Sequence, residues 1–362
     1  MPKPLPGERR EQLRKQLDLR GVVRTAELSA RLGVSERTLQ RDLDALVAAG
    51  AARRVHGGAV RPATAETTAR LRLGLVVPTR AYYYEEIVDG VVEAAAALNA
   101  QVIIGTYDYD EELETALLRR VTDLDLDGLL VTVEYDSVGY ARLRSSAAPV
   151  VLIERPLLPP LAGAGPRPAP IDHVCSDHGA GVLLGLDHLA ELGHRSVCCL
   201  IRRTPTAAGL LRGLSRVAAA PGAPVEVIIR ELDRAAPPLD DGDPLLADLL
   251  AGIGSGTITA ALVHTDHDAL AVHRALTAAG VAVPDQLSLL SYDDVIIKDS
   301  AVPLSALAPQ RRWIGRLACE TLVDRIRRAG RRFADRPPVQ LSLAPELVLR
   351  GSTAPVSGPG PR

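Results

Sequence analysis

The chain has 362 residues, 47% of them apolar and 24% charged, with a formal net charge of −2. That length suits a small domain plus a two-lobed one, and the composition is that of a soluble globular protein. No apolar run approaches membrane-spanning length, and the N-terminus is charged from Glu8 to Arg20 where a secretory signal would be apolar. No membrane partner is therefore expected, and the expected location is the cytosol. The small net charge hides an asymmetry: residues 1–62 carry +6 and the remainder −8. A basic segment on an acidic body suggests a polyanion partner for that segment alone.

In chain order, Glu8–Arg20 reads as a helix with Leu13 and Leu17 one turn apart, ended by Gly21. Thr25–Leu32 is a second helix, with Leu28 and Leu32 on one side and Gly33 placed to close it. Ser35 can cap a third, running to about Ala49, whose Leu39, Leu43 and Leu46 face a core while Arg37, Thr38, Gln40 and Arg41 face outward. Ala51–Val60 forms two short strands turning near Gly57-Gly58. Arg61–Arg70 lacks apolar periodicity and reads as a linker.

From Leu71 short apolar strands alternate with helices. The strands are Leu73–Val77, Val102–Gly105, Gly128–Val133, Val150–Ile153, His173–Cys175, Val197–Ile201, Val225–Arg230, Ala260–His264 and Leu287–Tyr292. Between them lie helices over Glu85–Leu98, Glu111–Leu124, Gly139–Ala147, Gly179–Leu192, Ala207–Ala219, Pro244–Ala251 and Asp266–Ala279. This alternation predicts an α/β body of parallel sheets covered by helices on both faces. Pro156–Pro170 is expected to be an irregular loop, and Gly351–Arg362 a disordered tail.

Three short helices followed by a basic hairpin define a winged helix-turn-helix over residues 1–60. Its third helix suits the DNA major groove. Arg37, Gln40 and Arg41 can read base edges, Ser35 and Thr38 can reach phosphates, and Arg53, Arg54 and His56 on the wing can hold the backbone or an adjacent groove. Asp42 would repel DNA and is expected to pair with an arginine instead. A small helical domain that binds protein is the alternative. Gly33-Val34-Ser35-Glu36-Arg37-Thr38-Leu39-Gln40-Arg41-Asp42-Leu43, followed by Arg54-Val55-His56-Gly57-Gly58-Ala59, resembles the head of the DeoR family of bacterial transcription regulators. Gln40 stands where that family usually has arginine, which bears on the base that is read.

The body resembles a different family. Asp187–Arg195, Thr265–Ala271, Leu289–Asp294 and Pro345–Thr353 look, in this order and spacing, like the effector domain of the LacI/GalR family. The resemblance implies a type I periplasmic-binding-protein fold, its lobes expected at about 71–174 with 303–330, and 175–300 with 335–350. Ligands in such folds bind beyond the carboxyl ends of the strands. Sequence order puts Tyr82, Tyr83, Tyr84, Glu154, Arg155, Thr265, Asp266, His267 and Asp293 there; by the resemblance, the candidate ligand residue Arg311 stands near a position that is often apolar or aromatic in relatives. The resemblance implies that Asp293 and the Thr265–His267 turn contact ligand. Tyr82–Tyr84 hold three of the chain's eight tyrosines, which suits a stacking wall but equally suits packing. Leu210 stands where sugar-binding relatives often carry arginine, and Thr265 replaces a common asparagine, so the pocket has the family's architecture without its full sugar-binding set.

Other motifs are weaker. His264-x-Asp266-His267-x-Asp268 spans a strand end and a helix start, so its side chains diverge and no metal is expected. Gly252-Ile253-Gly254-Ser255-Gly256 precedes a strand, whereas phosphate-binding glycines must follow one. Cys175, Cys198, Cys199 and Cys319 show no C-x-x-C spacing and read as reduced packing residues rather than metal or redox groups. With no P-loop, G-x-S-x-G or triad, neither cofactor nor catalytic residue is expected. The sequence predicts a ligand-responsive repressor, homodimeric on a partly palindromic operator, with a small polar effector such as a carbohydrate between the lobes. The alternatives are a DNA-tethered isomerase-like or hydrolytic enzyme, and a cytosolic metabolite-binding module whose head binds protein.

Overall fold

A computed structural model describes residues 9–10, 12–13, 16–17, 22–48, 52–55, 57–60, 70–133, 143, 145–155, 171–237, 239, 243–328 and 337–356. The chain divides into two units, Met1–Leu71 and Arg72–Arg362. In the first, the described residues between 9 and 17 are helical and precede β1 (Val22–Arg24), α1 (Thr25–Leu32), α2 (Glu36–Ala48), β2 (Arg53–Val55) and β3 (Gly58–Val60). Leu13 and Leu17 meet Leu28, Leu39, Leu43 and Leu46 in one core, because the apolar positions of each helix recur at helical spacing. β3 lies between β2 and β1, antiparallel to both. The third strand, β1, was not among the expected elements: three residues pair only with a strand more than thirty positions away, so no local pattern announces it. Gly57, at φ +77°, makes the β2–β3 turn in a region that side chains rarely adopt.

The second unit is built on two six-stranded sheets. One has the order β5-β4-β6-β7-β8-β14, from β4 (Leu71–Val77), β5 (Ala100–Thr106), β6 (Gly128–Val131), β7 (Val150–Ile153), β8 (Asp172–Ser176) and β14 (Gln340–Leu343). The other has the order β10-β9-β11-β12-β13-β15, from β9 (Ser196–Arg202), β10 (Glu226–Leu232), β11 (Ala260–His264), β12 (Ser288–Tyr292), β13 (Ser305–Ala308) and β15 (Glu346–Val348). β13 and β15 pair antiparallel, whereas β9 to β13 run parallel. In the second lobe α5 (His178–Glu191) and α6 (Ala207–Ala218) cover one face; α7 (Pro244–Gly254) and α8 (Asp266–Ala278) cover the other. This is a two-lobed, type I periplasmic-binding-protein-like α/β fold.

The lobe boundaries differ from those expected. Ser305–Ala308, assigned to the first lobe, lies in the second lobe's sheet, and Gln340–Leu343, assigned to the second, pairs with β8 in the first. Each is a four-residue strand whose place is set by a partner's edge rather than by its own pattern. The chain thus crosses between lobes three times, after β8, after β13 and after β14. The tail also needs correction: residues 351–356 are packed, not loose. Ser305 N–H donates to the buried Ser352 hydroxyl at 2.8 Å, and Val356 N–H donates to the Leu192 carbonyl at 2.9 Å. The expected helix Gly139–Ala147, apart from a few positions, the loop Pro156–Pro170, most of the linker and residues 357–362 lie outside the described residues.

In the first lobe α4 (Glu111–Asp123) covers one face of the sheet. α3 (Glu85–Ala97) lies against α9 (Arg311–Arg328), which itself packs on β6, β7 and β8. α9 was not anticipated. Its buried stripe of Ile314, Gly315, Ala318, Cys319, Leu322 and Val323 mixes small residues among arginines and gives little amphipathic contrast. The stripe works because backbone meets backbone. A Cβ on Gly90 would overlap the Arg312 carbonyl oxygen, and one on Gly315 would overlap that of Ile87. Gly→Ala inside an ordinary exposed helix stabilises by about 1 kcal/mol. Here G315A should instead destabilise the body by roughly 1–3 kcal/mol through overpacking, read as a lower urea midpoint. A raised midpoint would mean that the helices are not in backbone contact.

Candidate functional site

Parallel strands deliver their carboxyl ends to one edge of each sheet, and the polar residues that follow those ends gather between the lobes. The turns there are tight. Tyr82, Glu154, Asp293 and Asp294 have φ of 52°, 62°, 123° and 54°, a left-handed region costly for residues with side chains. Such strain concentrates at binding sites, where the surrounding structure must hold it.

Glu154, next after β7, is buried. Its carboxylate accepts from the Tyr83 hydroxyl at 2.9 Å, the Ser176 hydroxyl at 2.8 Å and the Ser176 N–H at 3.1 Å, with His178 Nε2 3.7 Å away. Burial is the largest influence and opposes ionisation. His178 and the Ser176 donors outweigh it together and hold the carboxyl below its usual range. His178 Nδ1 lies 3.0 Å from the Tyr292 hydroxyl, which ties α5 to the end of β12. A cavity of about 570 Å³ opens beside this group. Tyr83, Tyr84, Glu154 and Arg155 wall it from the first lobe, and His178, Thr206, Arg212 and Arg216 from the second. Arg155 donates to the Tyr84 hydroxyl at 3.3 Å. Gly213 brings α6 close to α5, since a Cβ there would stand 2.9 Å from the Gly179 Cα.

A second cluster surrounds Asp293, next after β12. The Tyr82 hydroxyl donates to Asp293 Oδ2 at 3.3 Å, and the Tyr82 ring stacks on His267, centroids 5.2 Å apart at 24°. Asp293 is buried; its Oδ1 has no partner among the described residues. Burial first, then the nearby Asp266, push its carboxyl well above the usual range, against the opposing pull of Arg311. His264 Nε2 is 3.9 Å from Asp293 Oδ2, and burial lowers its pKa to about 3. Arg311 donates to the carbonyl oxygens of Asp293 and Asp294 and, at 3.1 Å, to Glu86, which also pairs with Lys298. Three side-chain ties therefore join the lobes here: Tyr82 to Asp293, Arg311 to the Asp293 turn, and Glu86 to Lys298.

The expected ligand residues thus fall into three sets. Tyr83, Tyr84, Glu154 and Arg155 line the cavity; Tyr82, His267, Asp293 and Arg311 form the interlobe cluster beside it. Thr265 and Asp266 are occupied locally. Asp268 joins Thr265 in a capping box, while Arg202 grips Asp268 at 2.5–2.7 Å. Asp266 accepts from the Ser291 hydroxyl and from the N–H groups of Val295 and Ile296. The side chains of His264, Asp266, His267 and Asp268 therefore point to different partners. Leu210 sits in the second lobe's core. Sequence reasoning missed Ser176, His178, Arg212 and Arg216. For the last two, the i, i+4 spacing of arginines on α6 was the available signal.

In the first unit, α2 leaves Arg37, Gln40 and Arg41 exposed on one face. Ser35 Oγ lies 2.8 Å from Thr38 Oγ1 and caps the helix by accepting from Thr38 N–H at 3.3 Å. Arg54 pairs with Asp44 at 3.0 Å and donates to the Gln40 carbonyl at 3.4 Å, which ties the wing to α2. Asp42 is buried and pairs with Arg9 at 2.8 Å, an arginine from the first helix rather than from its own. His56 and the Arg53 side chain lie outside the described residues.

A helix-turn-helix joined to a two-lobed binding body defines a class of ligand-responsive DNA-binding regulators. Residues 9–65 match the DeoR-like helix-turn-helix domain, and residues 186–353 the periplasmic binding protein-like domain. The chain is 27% identical over 286 residues to the HTH-type transcriptional regulator DegA of Bacillus subtilis, covering 76% of this chain and 78% of that one. It is 26% identical over 366 residues to the HTH-type transcriptional regulator MalR of Streptomyces coelicolor, covering 94% and 99%. Its fold is similar to that of a periplasmic binding protein/LacI transcriptional regulator from Alkaliphilus metalliredigens complexed with D-xylulofuranose, with a TM-score of 0.62, 19% identity and coverage of 78% and 98%. The chain is a transcription regulator that joins a DeoR-like helix-turn-helix head to a periplasmic-binding-protein-like body.

Because the folded pKa of Asp293 is raised, its contribution to stability is fully present below the unfolded value near 3.8 and is lost as pH rises. Wild-type stability should therefore fall relative to D293N between pH 4 and pH 7, measured by thermal denaturation. Parallel pH profiles would show that Asp293 is not held neutral.

Proposed function

We propose that this regulator is a repressor that binds a partly palindromic operator as a homodimer and responds to a small polar metabolite, of the carbohydrate class, held between its lobes. The observation that carries the reading is the 570 Å³ cavity walled by both lobes beside the side-chain ties that join them. A ligand touching both walls has differential affinity for open and closed bodies, and that difference is what shifts a population. The D-xylulofuranose complex of the Alkaliphilus metalliredigens protein supports a carbohydrate on a body of this fold. Glu154, the best-placed acid, is engaged by three donors and is not poised as a base, which favours a sensor over an enzyme. A DNA-binding regulator of this kind acts in the cytoplasm, and among the described residues no helix is long and apolar enough to cross a membrane.

On the head, Arg37, Gln40 and Arg41 read bases, Ser35 and Thr38 approach phosphates, and Arg53, Arg54 and His56 hold the wing on the backbone. In fluorescence anisotropy on an operator selected from random sequence, R37A should weaken specific binding by roughly 1–3 kcal/mol and relax the preference at one base position. Uniform weakening on all sequences would reassign Arg37 to phosphate, and failure of the wild type to select any sequence would sink the regulator reading for the head. The dimer surface is the outer face of α3 and α9. It carries the exposed Val92 and Trp313, with Arg316 4.8 Å over the Trp313 ring. Light scattering of W313E should show monomers with unchanged melting of the body; a persisting dimer would move the interface elsewhere.

A further inference from the structure

The cavity holds an imbalance of hydrogen-bonding groups that bears on its ligand. Two carboxylates line it: Glu154 is committed to Tyr83 and Ser176, and Asp177 Oδ1 accepts from the Ala180 N–H at 2.8 Å, as the cap of α5. Two of the cationic groups are not balanced in this way. Arg212 and Arg216 lie one turn apart on α6, both turned to the cavity and exposed, and neither has a partner among the described residues. Arg155 faces them from the first lobe. The first turn of α6 adds the positive end of a helix of 12 residues, whose start the Thr206 side chain leaves uncapped. The acceptor best suited to neutral hydroxyls, Asp293, does not line the cavity and is engaged by Tyr82.

Donors therefore outnumber free acceptors on these walls, so a ligand rich in acceptors is favoured over one rich in hydroxyl donors. Arginine's planar fork matches carboxylate and phosphate oxygens two at a time. The volume falls within the range usual for small-molecule sites. We propose that the effector is a small anion, a sugar phosphate or a sugar acid, whose charged group is bound by Arg212 and Arg216 on the second lobe and drawn toward Arg155 on the first. This rests on the reading of the cavity as the effector site. An anion that meets arginines of both lobes favours closure, because its attraction to each grows as the walls approach.

The test is calorimetric titration of the full chain with matched probes: D-ribose and D-ribose 5-phosphate, then D-glucose, D-glucose 6-phosphate and D-gluconate. Two variants accompany the wild type. R212Q/R216Q removes the charge at exposed positions, and A208W fills the cavity from another exposed position on α6. The proposal expects at least one anionic probe to bind at least tenfold more tightly than its neutral parent, with binding lost in both variants. Binding by D-gluconate as well as by the phosphates names any small sugar anion; binding by the phosphates alone names the phosphoryl group. A neutral sugar that binds as well as its anion, and is lost in A208W, overturns the charge preference while leaving the cavity as the site. Anion binding that survives R212Q/R216Q, or an absence of binding by every anionic probe, also overturns the proposal. Binding that survives A208W overturns the cavity itself as the effector site.

Discussion

The body is organised by two carboxylates buried at facing strand ends, Glu154 and Asp293. Burying a carboxylate costs several kcal/mol unless hydrogen bonds replace its water. Glu154 meets that condition with Tyr83 and both donors of Ser176, which draws the 3-10 turn at Tyr82–Tyr84 and the end of β8 onto the end of β7. Asp293 meets it only in part, through a tyrosine from the opposite lobe. One oxygen stays without a partner among the described residues, and the carboxyl is pushed toward its neutral form. The first arrangement is a fixed floor for the cavity. The second is a contact between lobes whose strength depends on a group that is incompletely satisfied.

The rest of the body keeps these two groups in register. Three crossings join the lobes, and each is short because a strand on one side ends close to where the next element begins. Backbone contact between α3 and α9 at Gly90 and Gly315 makes the first lobe stiff. Glu86 on α3 and Arg311 at the start of α9 then project from that stiff pair to Lys298 and to the Asp293 turn. Of these ties, Glu86 to Lys298 is partly exposed and can be broken at modest cost, whereas the buried Arg311 holds the Asp293 turn firmly.

Much of this was legible in the residues. The α2 helix and its wing were readable because cap, apolar spacing and turn glycines agree at every level. The central parallel strands were readable as apolar runs. What escaped was set by distance along the chain. β1, β13 and β14 are each three or four residues long and exist only because a remote edge receives them. α9 was hidden by a buried stripe of small residues among arginines. The site was legible as a set of strand ends but not as a division of labour. Nothing local tells that Asp266 would be consumed by the N–H groups of Val295 and Ile296 while Glu154 lines a cavity, because that depends on which turn lies next to each. Arg212 and Arg216 looked like any solvated helix face until the cavity gave them a direction.

The proposed function requires that the distance between the lobes control operator binding by the head. Cysteines placed at Glu86 and Lys298 can be joined by a short bismaleimide with little interference, since the four native cysteines are buried. Operator affinity would be measured by anisotropy on the same protein before and after linking. The account predicts at least a tenfold change in affinity on linking, with the linked protein no longer responding to any effector. Identical operator binding by linked and unlinked protein would contradict it.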